Sequence, residues 1–135
     1  MNFENLNLIQ PLLNAVSKKG YLNPTPIQEK AIPLVLQGKD IFGCAQTGTG
    51  KTAAFALPIL QMLETEKDRN QRRAVRALIL APTRELVAQI SEEFNTYGKG
   101  LDLRLVTIYG GVSQNRQNHA PPRGGEIHVA TPGPV

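Results

Sequence analysis

The residues Ala45-Gln46-Thr47-Gly48-Thr49-Gly50-Lys51-Thr52 combine glycines, hydroxyls and a lysine at a spacing that suits the binding of a polyphosphate. They follow a short run, Asp40 to Cys44, that predicts a strand over 40–45, and they precede Ala53-Ala54-Phe55-Ala56-Leu57, which predicts the start of a helix. The glycines let the backbone turn so that successive N–H groups face one concave space. The helix N-terminus behind them adds about half a positive charge. In that frame the loop from Gln46 through Thr47, Gly48, Thr49 and Gly50 cradles the phosphates. Lys51 reaches the terminal phosphates as a point charge, and the Thr52 hydroxyl holds Mg²⁺. The alternative is a Gly/Thr turn ahead of an ordinary helix, which does not call for this order of residue types. The general motif has Gly in its first position, where this chain has Ala45.

The elements that must position this loop can be read on both sides of it. Leu8, Leu12, Leu13 and Val16 recur at helical spacing, and Gly20 is a C-terminal stop. Thr25-Pro26-Ile27-Gln28 opens a second helix, with Thr25 as cap, Pro26 at the first helical position and Gln28 where a capping box wants Glu or Gln. Gly38 ends it. The helix after the loop is expected from Lys51 to Glu66, bent at Pro58. Ala77-Leu78-Ile79-Leu80-Ala81 is a continuous apolar run, as in a strand buried on both faces of a parallel sheet. A helix over 83–97 follows, with Leu86, Ile90 and Phe94 on one side, then a strand from Leu103 to Tyr109, a weak helical stretch over 112–119, and a short strand from Glu126 to Ala130. Strands alternating with helices predict an α/β fold with a parallel, doubly wound sheet of about four strands and right-handed crossovers.

Composition narrows the class. At 135 residues the chain is one domain or part of one, and a 41% hydrophobic content suits a globular core. No stretch approaches the roughly 18 apolar residues of a membrane span, and the N-terminal residues lack the pattern of a signal peptide, so a cytoplasmic location with no membrane partner is expected. Cys44 is the single cysteine, which excludes an internal disulfide, and His119 and His128 have no partner at metal-ligand spacing. The net charge of +4 resides in residues 67–76, where five basic residues accompany one acid. That segment reads as a solvated connection or as an auxiliary nucleic-acid contact.

Several stretches together resemble the N-terminal part of the DEAD-box RNA helicases. Residues 20–28, Gly20-Tyr21-Leu22-Asn23-Pro24-Thr25-Pro26-Ile27-Gln28, look like the family's Q motif, and Phe3 lies 17 positions before Gly20, where the family places an isolated aromatic. Residues 45–52 match the family's phosphate loop, including its initial Ala. Pro82-Thr83-Arg84-Glu85-Leu86 matches motif Ia, Gly110-Gly111 the glycine doublet, and Thr131-Pro132-Gly133 the start of motif Ib. The basic insert and residues 76–82 look most like bacterial RhlE-type members. The resemblance covers nearly all of residues 1–135 and implies the N-terminal part of a RecA-like first lobe that uses ATP and Mg²⁺ and binds RNA of many sequences.

Each match has its own chemistry. Gln28 offers one amide donor and one acceptor, the complement of the adenine 6-amino group and N7, whereas guanine presents two acceptors there. ATP is therefore expected over GTP. Gln28 also completes a capping box with Thr25, and both roles can coexist. Phe3 and Tyr21 either pack on the adenine ring, as the family implies for the former, or belong to the core. Thr83 caps a helix beside Arg84, an arrangement suited to a nucleic-acid phosphate or to a plain cap with Arg84 paired to an acid. Pro82, Gly110, Gly111, Thr131 and Gly133 carry the same two readings, of RNA-backbone contact or of ordinary turns.

Hydrolysis needs more than these parts, namely an acid for Mg²⁺, a group that orients water and usually an arginine finger. The family's Asp-Glu-Ala-Asp motif, its Ser-Ala-Thr motif and its second lobe are absent from the sequence. Pro121, Pro122 and Pro134, the last standing where the family has Arg, also depart from its pattern. An altered end or a piece of a longer gene would explain them. The expectation is weak ATP binding without turnover. A P-loop NTPase unrelated to RNA, such as a small-molecule kinase, and a non-catalytic RNA-binding fragment are the alternatives from other classes.

Overall fold

A computed structural model describes residues 2–41, 50–66, 75–109 and 125–132. The expected helix over 112–119 and nearly all of the basic segment lie outside the described residues, as does the strand over 40–45 beyond Asp40 and Ile41, which are irregular. The chain divides into two units, Met1–Glu66 with Thr96–Asp102, and Lys67–Asn95 with Leu103–Val135.

The first unit is helical among its described residues. It opens with a 3₁₀ turn, Phe3–Leu6, too short to show in any periodicity. Asn2 and Asn5 fix this turn by exchanging backbone-to-side-chain hydrogen bonds of 3.0 and 3.2 Å. Asn7 ends it in the left-handed region, which asparagine tolerates. Helix α1 runs over Gln10–Lys18 and buries Leu12, Ala15 and Val16, while Leu8 is buried just ahead of it. Helix α2 spans Pro26–Leu36, with Thr25 as N-cap and Gly38 just past its C-cap. Helix α3 spans Lys51–Thr65, and Pro58 falls inside it without ending it. Its buried Ala53, Ala54 and Ala56 present a shallow surface, and α2 packs on α3, burying Ala31 and Ile32.

The second unit carries the sheet. Strands β1 (Ala77–Leu80), β2 (Leu105–Ile108) and β3 (Ile127–Ala130) are all parallel, in the order β1-β3-β2. Leu80, Ala130 and Ile108 stand in register across it. Parallel strands need a crossover, and helix α4 (Arg84–Tyr97) supplies the connection in the chain between β1 and β2, which lie on opposite sides of β3. The inner side of α4 is Val87, Ile90, Ser91 and Phe94, so Leu86 is half-exposed rather than central to the stripe. The apolar run of β1 was expected to be covered on both faces. Instead Leu78 and Leu80, which share one face of this outer strand of the described sheet, are 60% and 61% exposed, whereas Ala77 and Ile79 on the other face are half-buried. Burial is concentrated on the middle strand, at Ile127, Val129 and Ala130. No helix among the described residues is long and apolar enough to cross a membrane.

Candidate functional site

In the first unit Gln28 meets Gly50 at the start of α3, in whose first turn Lys51 and Thr52 lie. Gly50 is its N-cap at φ 79°, a left-handed conformation that glycine adopts without strain. Among the described residues no side-chain cap hydrogen bond is formed at this helix start. Lys51 is exposed and Thr52 half-buried in the first turn. An uncapped N-terminus, a lysine and a hydroxyl are a donor set that fits a phosphate with its Mg²⁺. Gln46, Thr47, Gly48 and Thr49 lie outside the described residues.

Gln28 joins this start to the second helix. Its Oε1 accepts from the Thr25 N–H at 2.9 Å, which is the side-chain half of the expected capping box. Its Nε2 donates to the Gly50 carbonyl at 3.1 Å. The reciprocal contact, from the Gln28 N–H toward Thr25, leaves the buried Thr25 hydroxyl short of a full hydrogen bond. Gln28 is 2% exposed, and the approach is so close that a Cβ on Gly50 would lie 2.2 Å from Nε2. The capping pattern was readable in the sequence; the tie across 22 positions to Gly50 was not.

Phe3 and Tyr21 line one pocket, as sequence alone could not show. Both line a pocket of about 230 Å³ with Leu13, Val16 and Leu22. Phe3 is buried, whereas Tyr21 remains 43% exposed. Gln28 is not among the residues lining this pocket.

The second unit gathers the other candidates at one end. Pro82, Thr83 and Arg84 follow β1, Tyr109 follows β2, and Thr131 follows β3. Because the strands are parallel and in register, these positions share the carboxyl end of the sheet, the end at which open α/β sheets take ligands. Thr83 Oγ1 accepts from the Leu86 N–H at 3.1 Å, so the expected cap is formed. The Arg84 guanidinium lies 5.2 Å from the centre of the Tyr109 ring, a cation–π contact. That ties the segment after β1 to the residue immediately before Gly110. Thr131 is buried, and its N–H donates to the Ile108 carbonyl at 3.0 Å. Gly110, Gly111 and Gly133 lie outside the described residues.

A parallel sheet accompanied by helices, with a glycine-lysine-threonine helix start, is a partial RecA-like α/β fold. The profile of the DEAD/DEAH box helicases matches residues 25–135, and the chain belongs to that family. It is 50% identical over 98% of its length to ATP-dependent rRNA helicase RRP3 of Meyerozyma guilliermondii, of which it covers 27%. It is 46% identical over 98% of its length to DEAD-box ATP-dependent RNA helicase CshA of Streptococcus pneumoniae, of which it covers 24%. The same identity and share relate it to ATP-dependent RNA helicase CshA of Limosilactobacillus reuteri, of which it covers 26%. The chain thus spans about a quarter of the length of these relatives.

Proposed function

We propose that this chain is the nucleotide-recognition part of the first lobe of an ATP-dependent RNA helicase. Residues 46–52 hold the phosphates of Mg·ATP, Gln28 reads the adenine edge, and Phe3 with Tyr21 packs on the ring. The observation that carries this reading is the Gln28 amide bonded to Gly50, which fixes a base reader to the residue that opens the phosphate helix. A carboxamide has two acceptor lone pairs and two donor hydrogens. Thr25 and Gly50 occupy one of each, so one acceptor lone pair and one donor hydrogen of this amide are not used by these two bonds. When bound, Mg²⁺ neutralises charge on the β- and γ-phosphates. The segments after β1, β2 and β3 supply contacts to RNA phosphates, which give affinity with little sequence preference. Residues 1–135 by themselves, which hold no Asp-Glu-Ala-Asp motif, are expected to bind ATP weakly and not to turn it over.

Calorimetry of the full chain with Mg·ATP and Mg·GTP tests the reading. The wild-type chain takes ATP in preference to GTP by about 1–3 kcal/mol, the discrimination typical of one bidentate pair. Gln28→Ala abolishes the preference, and Lys51→Ala abolishes binding. Folded wild-type chain that gives no heat with millimolar Mg·ATP refutes the proposal. A preference that survives in Gln28→Ala points instead to a P-loop protein that does not read the base through this residue. Phosphate release stays at background throughout.

A further inference from the structure

We infer that Gln61 is a positioning residue, a latch that holds the N-terminal arm carrying Phe3 to the helix carrying Lys51. Its side chain spans two backbone groups of the arm. Gln61 Oε1 accepts from the Ile9 N–H at 2.8 Å, and Gln61 Nε2 donates to the Asn7 carbonyl at 2.9 Å. These bonds close 52 and 54 positions of chain, and they fall on either side of Leu8, which is buried.

The arm is built to be carried as a unit. Asn2 and Asn5 lock its 3₁₀ turn, Phe3 and Leu6 are buried within it, and the left-handed Asn7 turns the chain toward α1. Three residues of this turn, Asn2, Phe3 and Glu4, line the pocket shared with Tyr21. Gln61 grips the arm at its far end, about 15 Å along α3 from Lys51. The rigid helix therefore transmits the position of the phosphate-binding turn to the wall made by Phe3. A carboxamide offers this acceptor and this donor from two atoms on one carbon.

The inference rests on the nucleotide reading above for its consequence, but the latch itself can be tested without any nucleotide. Amide hydrogen exchange is followed on the full chain for wild type, Gln61→Leu and Gln61→Glu. In Gln61→Leu the Ile9 amide exchanges about tenfold faster, as do the amides of residues 2–7, while the first turns of α3 keep their protection. Gln61→Glu keeps the acceptor for Ile9 but turns a second acceptor toward the Asn7 carbonyl. Ile9 then stays protected while the turn loosens. Unchanged exchange in both variants overturns the latch.

The same samples are titrated with Mg·ATP and with Mg·tripolyphosphate, which has the phosphates and no base. The latch variants lose about three- to tenfold in ATP affinity, because the aromatic wall is no longer preorganised. Their tripolyphosphate affinity stays within about a factor of two. A loosened arm with an unchanged ratio of the two affinities overturns the coupling. Wild-type chain that binds neither ligand refutes the nucleotide reading and the coupling together, whereas the exchange result still decides whether Gln61 holds the arm. If Gln61→Leu does not fold, Gln61→Glu alone decides each point.

Discussion

Replacing Gly50 by alanine probes the junction of the two candidate motifs. Three glycines of the first unit share nearly the same backbone: Gly20 at φ 83°, Gly38 at φ 80° and Gly50 at φ 79°. An alanine at any of them is held in the left-handed region, at a cost of about 1–2 kcal/mol. Around Gly20 and Gly38 the added methyl meets nothing within 4 Å. At Gly50 it meets Gln28 Nε2 at 2.2 Å, Gln28 Cδ at 3.1 Å and Thr25 Cγ2 at 3.3 Å. The amide must retreat, which breaks its bond to the Gly50 carbonyl and leaves a buried donor unpaired, a further loss of about 1–3 kcal/mol.

Gly50→Ala therefore costs about 2–5 kcal/mol against about 1–2 for Gly38→Ala. Urea unfolding with equal m-values measures the difference, since an equal slope means that only stability has changed. The Gln28→Ala background supplies the decisive comparison. With the amide gone the methyl has room, and the cost of Gly50→Ala falls to that of Gly38→Ala, a non-additivity of about 1–3 kcal/mol. Equal costs at positions 38 and 50, or an equal cost of Gly50→Ala in both backgrounds, refute the reasoning.

Two further outcomes concern the second unit. The Ala77 and Ala81 N–H groups donate to Glu126 and Ala130, so the alternating residues Leu78 and Leu80 turn their backbone groups to the outer edge of β1. Among the described residues no strand pairs with that edge, and an apolar strand without an inward charge or proline is prone to pair with another chain, so self-association is expected and Leu80→Lys lowers the mass in sedimentation; a wild-type chain that sediments as a monomer contradicts this. If the proposed RNA contact holds, Arg84→Ala weakens binding to single-stranded RNA similarly for all sequences and reduces the slope of log affinity against log salt by about one contact, read by filter binding across a salt series.

What the sequence revealed and what it withheld divide along physical lines. Local rules were enough for α2, whose Thr25, Pro26 and Gln28 each carry a positional preference, and for the stops at Gly20 and Gly38. The loop motif located the start of α3 and periodicity located α4 to within a residue or two, and the apolar runs located all three described strands. The strand order β1-β3-β2 was not legible, because no local feature of 127–130 says that it inserts between two earlier strands. The exposure of Leu78 and Leu80 was misjudged as well: an apolar run reports a strand, not which of its faces is covered. Gln61 left no signal, since a half-buried glutamine on a helix looks like any solvated one until the arm folds onto it. The contact of Arg84 with Tyr109 joins segments 25 positions apart and equally escapes local reading.

Gln28 shows why a capping reading and a base-reading one need not compete. A glutamate at this position would cap Thr25 equally well, since only an acceptor is required. It could not donate to the Gly50 carbonyl, which the amide reaches at 3.1 Å. In the proposed reading it would also lack the donor for adenine N7. Gln28→Glu separates the roles. The start of α2 keeps its exchange protection, because Oε1 still meets the Thr25 N–H. The junction at Gly50 loosens, with a loss of about 1–3 kcal/mol as two acceptors face each other. The preference for ATP over GTP disappears in competition binding, although the cap is intact. A Gln28→Glu chain that retains both its stability and its preference would show that capping alone explains why this position carries glutamine.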